Sequence, residues 1–200
     1  MDKKARRGVL CTATLVLVLN AGCEQSRNRE VAQGFVAQFE RILEQRKTLD
    51  KLEELGKQYD QQLDKDLQES NATKRVKALG VWVGEYKGML SQARSVADAQ
   101  GMIIDTLVSD SVKLSGDAGK YAREAIDSLR DDVSLQKREL AIGEQVIALI
   151  ESYIGDPGSA DLKQVEEFTK TLDDLDAKEK QAFQRAQDAI VRIRTAAGLP

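Results

Sequence analysis

Acidic residues stand in adjacent pairs at Glu53-Glu54, Asp131-Asp132, Glu166-Glu167 and Asp173-Asp174. Two carboxylates facing one another across a cleft can hydrolyse a glycosidic bond, one as acid and the other as base or nucleophile. Neighbours in a helix do not face each other, however; side chains three or four residues apart do. These pairs therefore read as solvated helix surface, neutralised by Lys or Arg one turn away. The chain has no histidine, which excludes Ser-His and Cys-His nucleophile pairs and histidine-bearing zinc or di-iron sites. Neither catalytic residues, nor a metal site, nor a cofactor are expected. Hydrolysis of cell-wall sugars by carboxylates alone is kept only as a third reading.

The other stretch with unusual chemistry is Leu79-Gly80-Val81-Trp82-Val83-Gly84-Glu85-Tyr86-Lys87-Gly88. Gly80, Gly84 and Gly88 are spaced to share one helix face, and each costs about 1 kcal/mol relative to alanine in a helix interior. Two explanations fit that repeated cost. Neighbouring helices or bulky rings can need the room, or the glycines can floor a groove for a partner helix or apolar ligand, with Trp82 and Tyr86 as its wall.

Long helices must carry that stretch. The two prolines, Pro157 and Pro200, fall where a helix would already have ended. Apolar residues recur at three- and four-residue steps in four segments: 30–69 (Val31, Phe35, Phe39, Ile42, Leu49), 72–114 (Val76, Leu79, Val83, Ile104, Leu107), 118–154 (Ala122, Ile126, Leu129, Val133, Ile147) and 159–197 (Leu162, Val165, Leu172, Phe183, Ile190). Such a stripe buries one face and leaves the rest in water. Ser115-Gly116-Asp117 predicts a helix-ending glycine followed by an Asp cap, and Asp156-Pro157-Gly158-Ser159 a sharper stop. Ser70-Asn71 is a weaker break that leaves open one continuous bent helix. Short connections between long helices make neighbours antiparallel. The expectation is an all-α, elongated, up-down-up-down four-helix bundle with coiled-coil-like packing, forming one domain over 30–200. Gln100 and Gln136 would then meet in the core seam and fix register by hydrogen bonding.

The first residues have another character. Lys3, Lys4, Arg6 and Arg7 precede the apolar run 8–19, which ends in Asn20-Ala21-Gly22-Cys23 and a polar segment. The run is too short for a membrane span of about 20 apolar residues and has the build of a secretory signal. Together these residues resemble the signal peptide and lipobox of bacterial lipoproteins, with Asn20 where that family has an aliphatic residue. The resemblance implies cleavage before Cys23, diacylglycerol on its thiol and acylation of the new amino terminus. Residues 1–22 would be a cleaved signal and 23–29 a lipidated cysteine with a short polar tether. Two or more acyl chains anchor a protein stably where one does not. Glu24, rather than Asp, after the cysteine implies routing to the periplasmic face of the outer membrane in a two-membrane host.

The whole chain has 30 Lys+Arg and 33 Asp+Glu; the first 22 residues hold four of the former and one of the latter, leaving 26 against 32, a net charge of −6. Nucleic-acid binding wants the opposite balance in a patch. With Cys11 in the signal and Cys23 lipidated, no disulfide is expected. The leading reading is a non-enzymatic envelope lipoprotein, a scaffold or accessory module binding the membrane through Cys23 and another envelope protein through its bundle. Self-association through helix faces is compatible with that reading. The alternative is a sensory or small-ligand bundle with an apolar pocket beside Trp82. Because Cys23 holds one end near the membrane, the stretch Gly80 to Gly88 would lie in the half pointing away from it.

Overall fold

The computed structural model describes the backbone of residues 3–68, 71–156 and 162–200, with side chains from Ser26 onward except Leu162. Four helices follow one another: α1 (Lys3–Leu67), α2 (Ala72–Ser111), α3 (Gly116–Gly155) and α4 (Leu162–Ala196). Among the described residues there is no strand. Consecutive helices pack along their lengths as an up-down-up-down bundle. At 40 residues, α2 and α3 each extend about 60 Å. Among the described residues no helix is long and apolar enough to cross a membrane. The apolar run 8–19 and the thiol of Cys23 fall in the part of α1 whose side chains lie outside the described residues.

The connections refine the expected boundaries. α1 begins well ahead of residue 30, so the backbone of residues 23–29 is helical. α1 ends at Leu67 and a separate helix begins at Ala72. Asn71 caps α2, its side-chain oxygen accepting from the backbone N–H of Thr73 at 2.9 Å and of Lys74 at 3.3 Å. This satisfies two of the donors that a helix start leaves unpaired. At the next turn the capping position belongs to Ser115 rather than Asp117, which sits in the first turn of α3. Gly116 there has φ +60, a conformation that favours glycine. Ser115 makes no side-chain cap bond. Its hydroxyl accepts from Asn28 Nδ2 at 2.8 Å and its backbone N–H donates to Asn28 Oδ1 at 3.0 Å. One amide thus clasps the α2–α3 connection to α1. The expected cap at Ser159 lies outside the described residues.

The hydrophobic core occupies the end of the bundle near that clasp. Phe35, Phe39 and Ile42 of α1 meet Ile104 and Leu107 of α2, Ile126 and Leu129 of α3, and Ile190 and Ile193 of α4. Truncating one such aromatic to alanine costs about 3–5 kcal/mol. Buried alanines (Ala32, Ala118, Ala122, Ala125, Ala186 and Ala189) let the backbones come close there. Away from this end the large buried apolar residues thin to Val83, Leu140, Ile147 and Leu175. Helices α1 and α4 touch less than any consecutive pair. Their ties are the stacked rings of Phe39 and Phe183 (centroids 6.0 Å apart), the Arg194–Glu40 pair at 3.0 Å and the Arg46–Glu179 pair at 2.7 Å.

Candidate functional site

Two regions carry chemistry, one in the α1–α2 hairpin towards the end of α1 and the start of α2, and one at mid-bundle. In the hairpin, α1 and α2 run antiparallel so that Gly56, Tyr59 and Asp60 stand beside Trp82, Glu85 and Tyr86. The Trp82 and Tyr86 rings stack with centroids 4.0 Å apart. Both donate to the same carboxylate oxygen, Asp60 Oδ1: Trp82 Nε1 at 2.9 Å and the Tyr86 hydroxyl at 2.7 Å. Burial, and then the bond to Asp60, push the Tyr86 hydroxyl well above the ordinary tyrosine range. Tyr59 donates to Glu85 Oε2 at 2.9 Å, which raises its own pKa. Half-buried aromatic rings with polar tips satisfied this way act as a packing plug between two helices.

The glycines do not join that plug. At about 100° per residue, positions 80, 84 and 88 lie on the opposite side of the helix from 82 and 86. A Cβ added at Gly80, Gly84 or Gly88 would meet nothing within 4 Å. Among the described residues no helix and no ring comes that near. The close approaches fall at other glycines. At Gly56 a Cβ would stand 3.0 Å from Met89 Cε and 3.3 Å from the Tyr86 hydroxyl, and at Gly143 it would stand 3.1 Å from Leu90 Cδ2. The expected single groove of glycine floor and aromatic wall is therefore two surfaces. One is an open glycine face on α2, bordered by Val81 at 59 % exposure. The other is a groove of about 470 Å³ between the end of α1 and the start of α2, lined by Tyr59, Leu63, Ala78, Val81 and Trp82 with Asp66 and Lys77 among its charged residues.

At mid-bundle, Arg46 of α1 reaches Asp132 of α3 at 2.6 Å and Glu179 of α4 at 2.7 Å. Its guanidinium lies over the Phe183 ring, 4.0 Å from the centroid. Asp132 is wholly buried and also accepts from Gln136 Nε2 at 3.0 Å. Glu139 adjoins Glu179. Burial pushes Asp132 up to about 6 against the opposing pull of Arg46, and raises Glu179. Burial and then the neighbouring Glu179 push Glu139 up to about 8. Gln100 of α2 is fully buried with neither amide atom hydrogen-bonded. The register set by Lys137–Asp98 (2.8 Å) and Arg94–Glu144 (2.7 Å) puts it at the level of Gln136. The two glutamines share a level as expected, but the amide of Gln136 pairs with Asp132 rather than with Gln100.

Asp132 thus corrects the reading of the acidic pairs as solvated surface. Its neighbour Asp131 is exposed and pairs with Arg185 at 3.4 Å, and Glu53 and Asp174 pair with Lys57 and Lys178 one turn away, as surface carboxylates do. A signal for the buried cluster stood in the stripes. The apolar series of α1 steps from Ile42 to Leu49 over Arg46, and that of α4 from Leu175 to Phe183 over Glu179. Where an inward position carries charge, a partner from another helix is required.

Among the described residues no group of three or more His, Cys, Asp or Glu side chains could hold a metal ion. No family model, curated protein or solved structure matches the chain.

Proposed function

We propose that the protein is a lipid-anchored, non-enzymatic cell-envelope module that docks another envelope protein on the open glycine face of α2. The observation that carries this reading is the space around Gly80, Gly84 and Gly88. Three helix-interior glycines weaken α2 by about 1 kcal/mol each, and none of the described residues uses the room they leave. A partner helix or edge that needs close backbone approach would use it. Exposed Val81 beside them supplies apolar contact.

Anchoring through Cys23 rests on the lipobox-like Leu19-Asn20-Ala21-Gly22-Cys23. The Asn28–Ser115 clasp is compatible with it, since it ties the α2–α3 connection to α1 about one and a half turns beyond Cys23. The glycine face would then look outward from the far half of the bundle. A photo-crosslinking residue at Val81 should capture a single recurrent envelope protein in intact cells, whereas the same residue at exposed Asp127 should not. Equal capture at both positions would contradict the assignment of the face.

The groove beside Trp82 favours a second reading, a small apolar ligand held between α1 and α2. Saturable quenching of the chain's single tryptophan by an alkyl or aromatic ligand would support it over the docking reading.

A further inference from the structure

The mid-bundle cluster carries an inference independent of what the protein docks. It brings three carboxylates from two helices around one cation. From α1 comes Arg46; from α3 come Asp132 and Glu139; from α4 come Glu179 and, somewhat further off, Asp176. α2 adds only the uncharged Gln100 at this level, because its Asp98 is paired on the exposed side with Lys137. Lys180 of α4 is engaged by Asp176 at 2.7 Å, and its nearest influences from α1 are Glu53 and Lys57. Among the described residues, then, no second cation enters the cluster's interior.

Glu139 and Glu179 are both acceptors when ionised, and two carboxylates in contact bind well only when one carries a proton. Oε1 of Glu139 has no hydrogen-bond partner. We propose that Glu139 and Glu179 share one proton, and that this proton is a latch seating α4 against α1 and α3. With the proton present, the O–H of one carboxyl donates to the other carboxylate, and Arg46 neutralises what remains of Glu179 while holding Asp132. When the proton leaves to water, three negative charges face one guanidinium. Repulsion then acts across the α3–α4 seam, at a level where α1 holds α4 chiefly through Arg46 and its few neighbours. Arg46 and Phe183 line an open groove of about 630 Å³ between α1 and α4, and the side chains of Arg46 and Glu179 keep 17 % and 11 % of their surface exposed, so water touches the edge of the cluster in the folded bundle. The upward shifts of Asp132, Glu139 and Glu179 have the direction this arrangement requires.

The test is amide hydrogen exchange of the full chain at pH 5.5 and 8.5, corrected for the intrinsic pH dependence of exchange. Protection of residues 172–183 in α4 should fall about tenfold more than that of the core segment 118–129, tenfold being the response to one pKa unit of differential binding. Glu139→Gln, which keeps a donor at neutral and alkaline pH, should abolish the difference. Glu151→Gln, on the surface and paired with Lys87, should leave it intact. A parallel loss of protection in both segments, or an undiminished difference in Glu139→Gln, would overturn the latch. If Glu139→Gln does not fold, carboxyl-carbon NMR of the wild-type chain decides. One glutamate titrating above pH 6.5 supports the shared proton, and all glutamates titrating below pH 6 refute it.

Discussion

Arg46 and Asp132, 86 positions apart in sequence, meet at 2.6 Å with the carboxylate wholly buried. A buried charge is tolerated when it is paired and hydrogen-bonded, and removing one partner leaves the other stranded. Arg46→Ala should therefore destabilise the bundle by about 3–5 kcal/mol, measured by urea unfolding. The replacement of Arg46, Asp132 and Glu179 together by apolar residues should recover most of that loss. If Arg46→Ala proved as mild as a surface substitution, the cluster would have no structural role.

The same cluster predicts an acid-stabilised protein. Asp132 is pushed up to about 6 and Glu139 to about 8, both above their unfolded values. Between those values the folded chain binds protons that the unfolded chain has released. Their contribution is thus complete below about pH 4 and is lost as pH rises through 6 and towards 8. Melting temperature should fall by on the order of 10 °C from pH 5 to pH 8.5. Asp132→Asn should remove the lower part of the slope and Glu139→Gln the upper. A melting temperature that rises across this range contradicts the shifts.

Glycines separate into two kinds with opposite mutational signs. Gly84→Ala and Gly80→Ala meet open space in a helix interior, so each should raise stability by about 1 kcal/mol. Gly56→Ala pushes a methyl against Met89 and the bonded Tyr86 hydroxyl, and should be at least about 1 kcal/mol worse than Gly84→Ala. Chemical denaturation of the three single variants reads this directly. Equal effects at Gly56 and Gly84 would mean that the α2 glycine face is covered in solution.

Asn28 holds the α2–α3 connection through two hydrogen bonds to Ser115. Asn28→Ala should cost about 1 kcal/mol and speed exchange at the first amides of α3, with little change elsewhere. An effect spread evenly over the bundle would rule out a local clasp.

The architecture was legible because each helix repeats its apolar stripe over many turns, and antiparallel topology then follows from short connections. The shared level of Gln100 and Gln136 was readable too, though not the partner that Gln136 takes. What escaped were contacts between helices distant in sequence. The stripe skips Arg46 and Glu179, but periodicity within a helix does not say which charge on another helix answers it. Asp132 looked like its exposed neighbour Asp131 because one helical step of rotation, invisible in composition, separates the buried from the solvated position. The glycine and aromatic positions of α2 were adjacent in sequence and opposite in space for the same reason.

The direct measurement of the docking claim is capture of the tagged full chain from crosslinked, intact cells, comparing wild type with Gly84→Leu. Gly84 lies in open space, so the variant should fold and melt at or slightly above the wild-type temperature. Trp82→Ala is a poorer probe, since it removes a ring stacked on Tyr86 and bonded to Asp60. The account predicts one recurrent envelope partner with wild type and its loss with Gly84→Leu at undiminished stability. The same partner captured equally by a folded Gly84→Leu variant would contradict it.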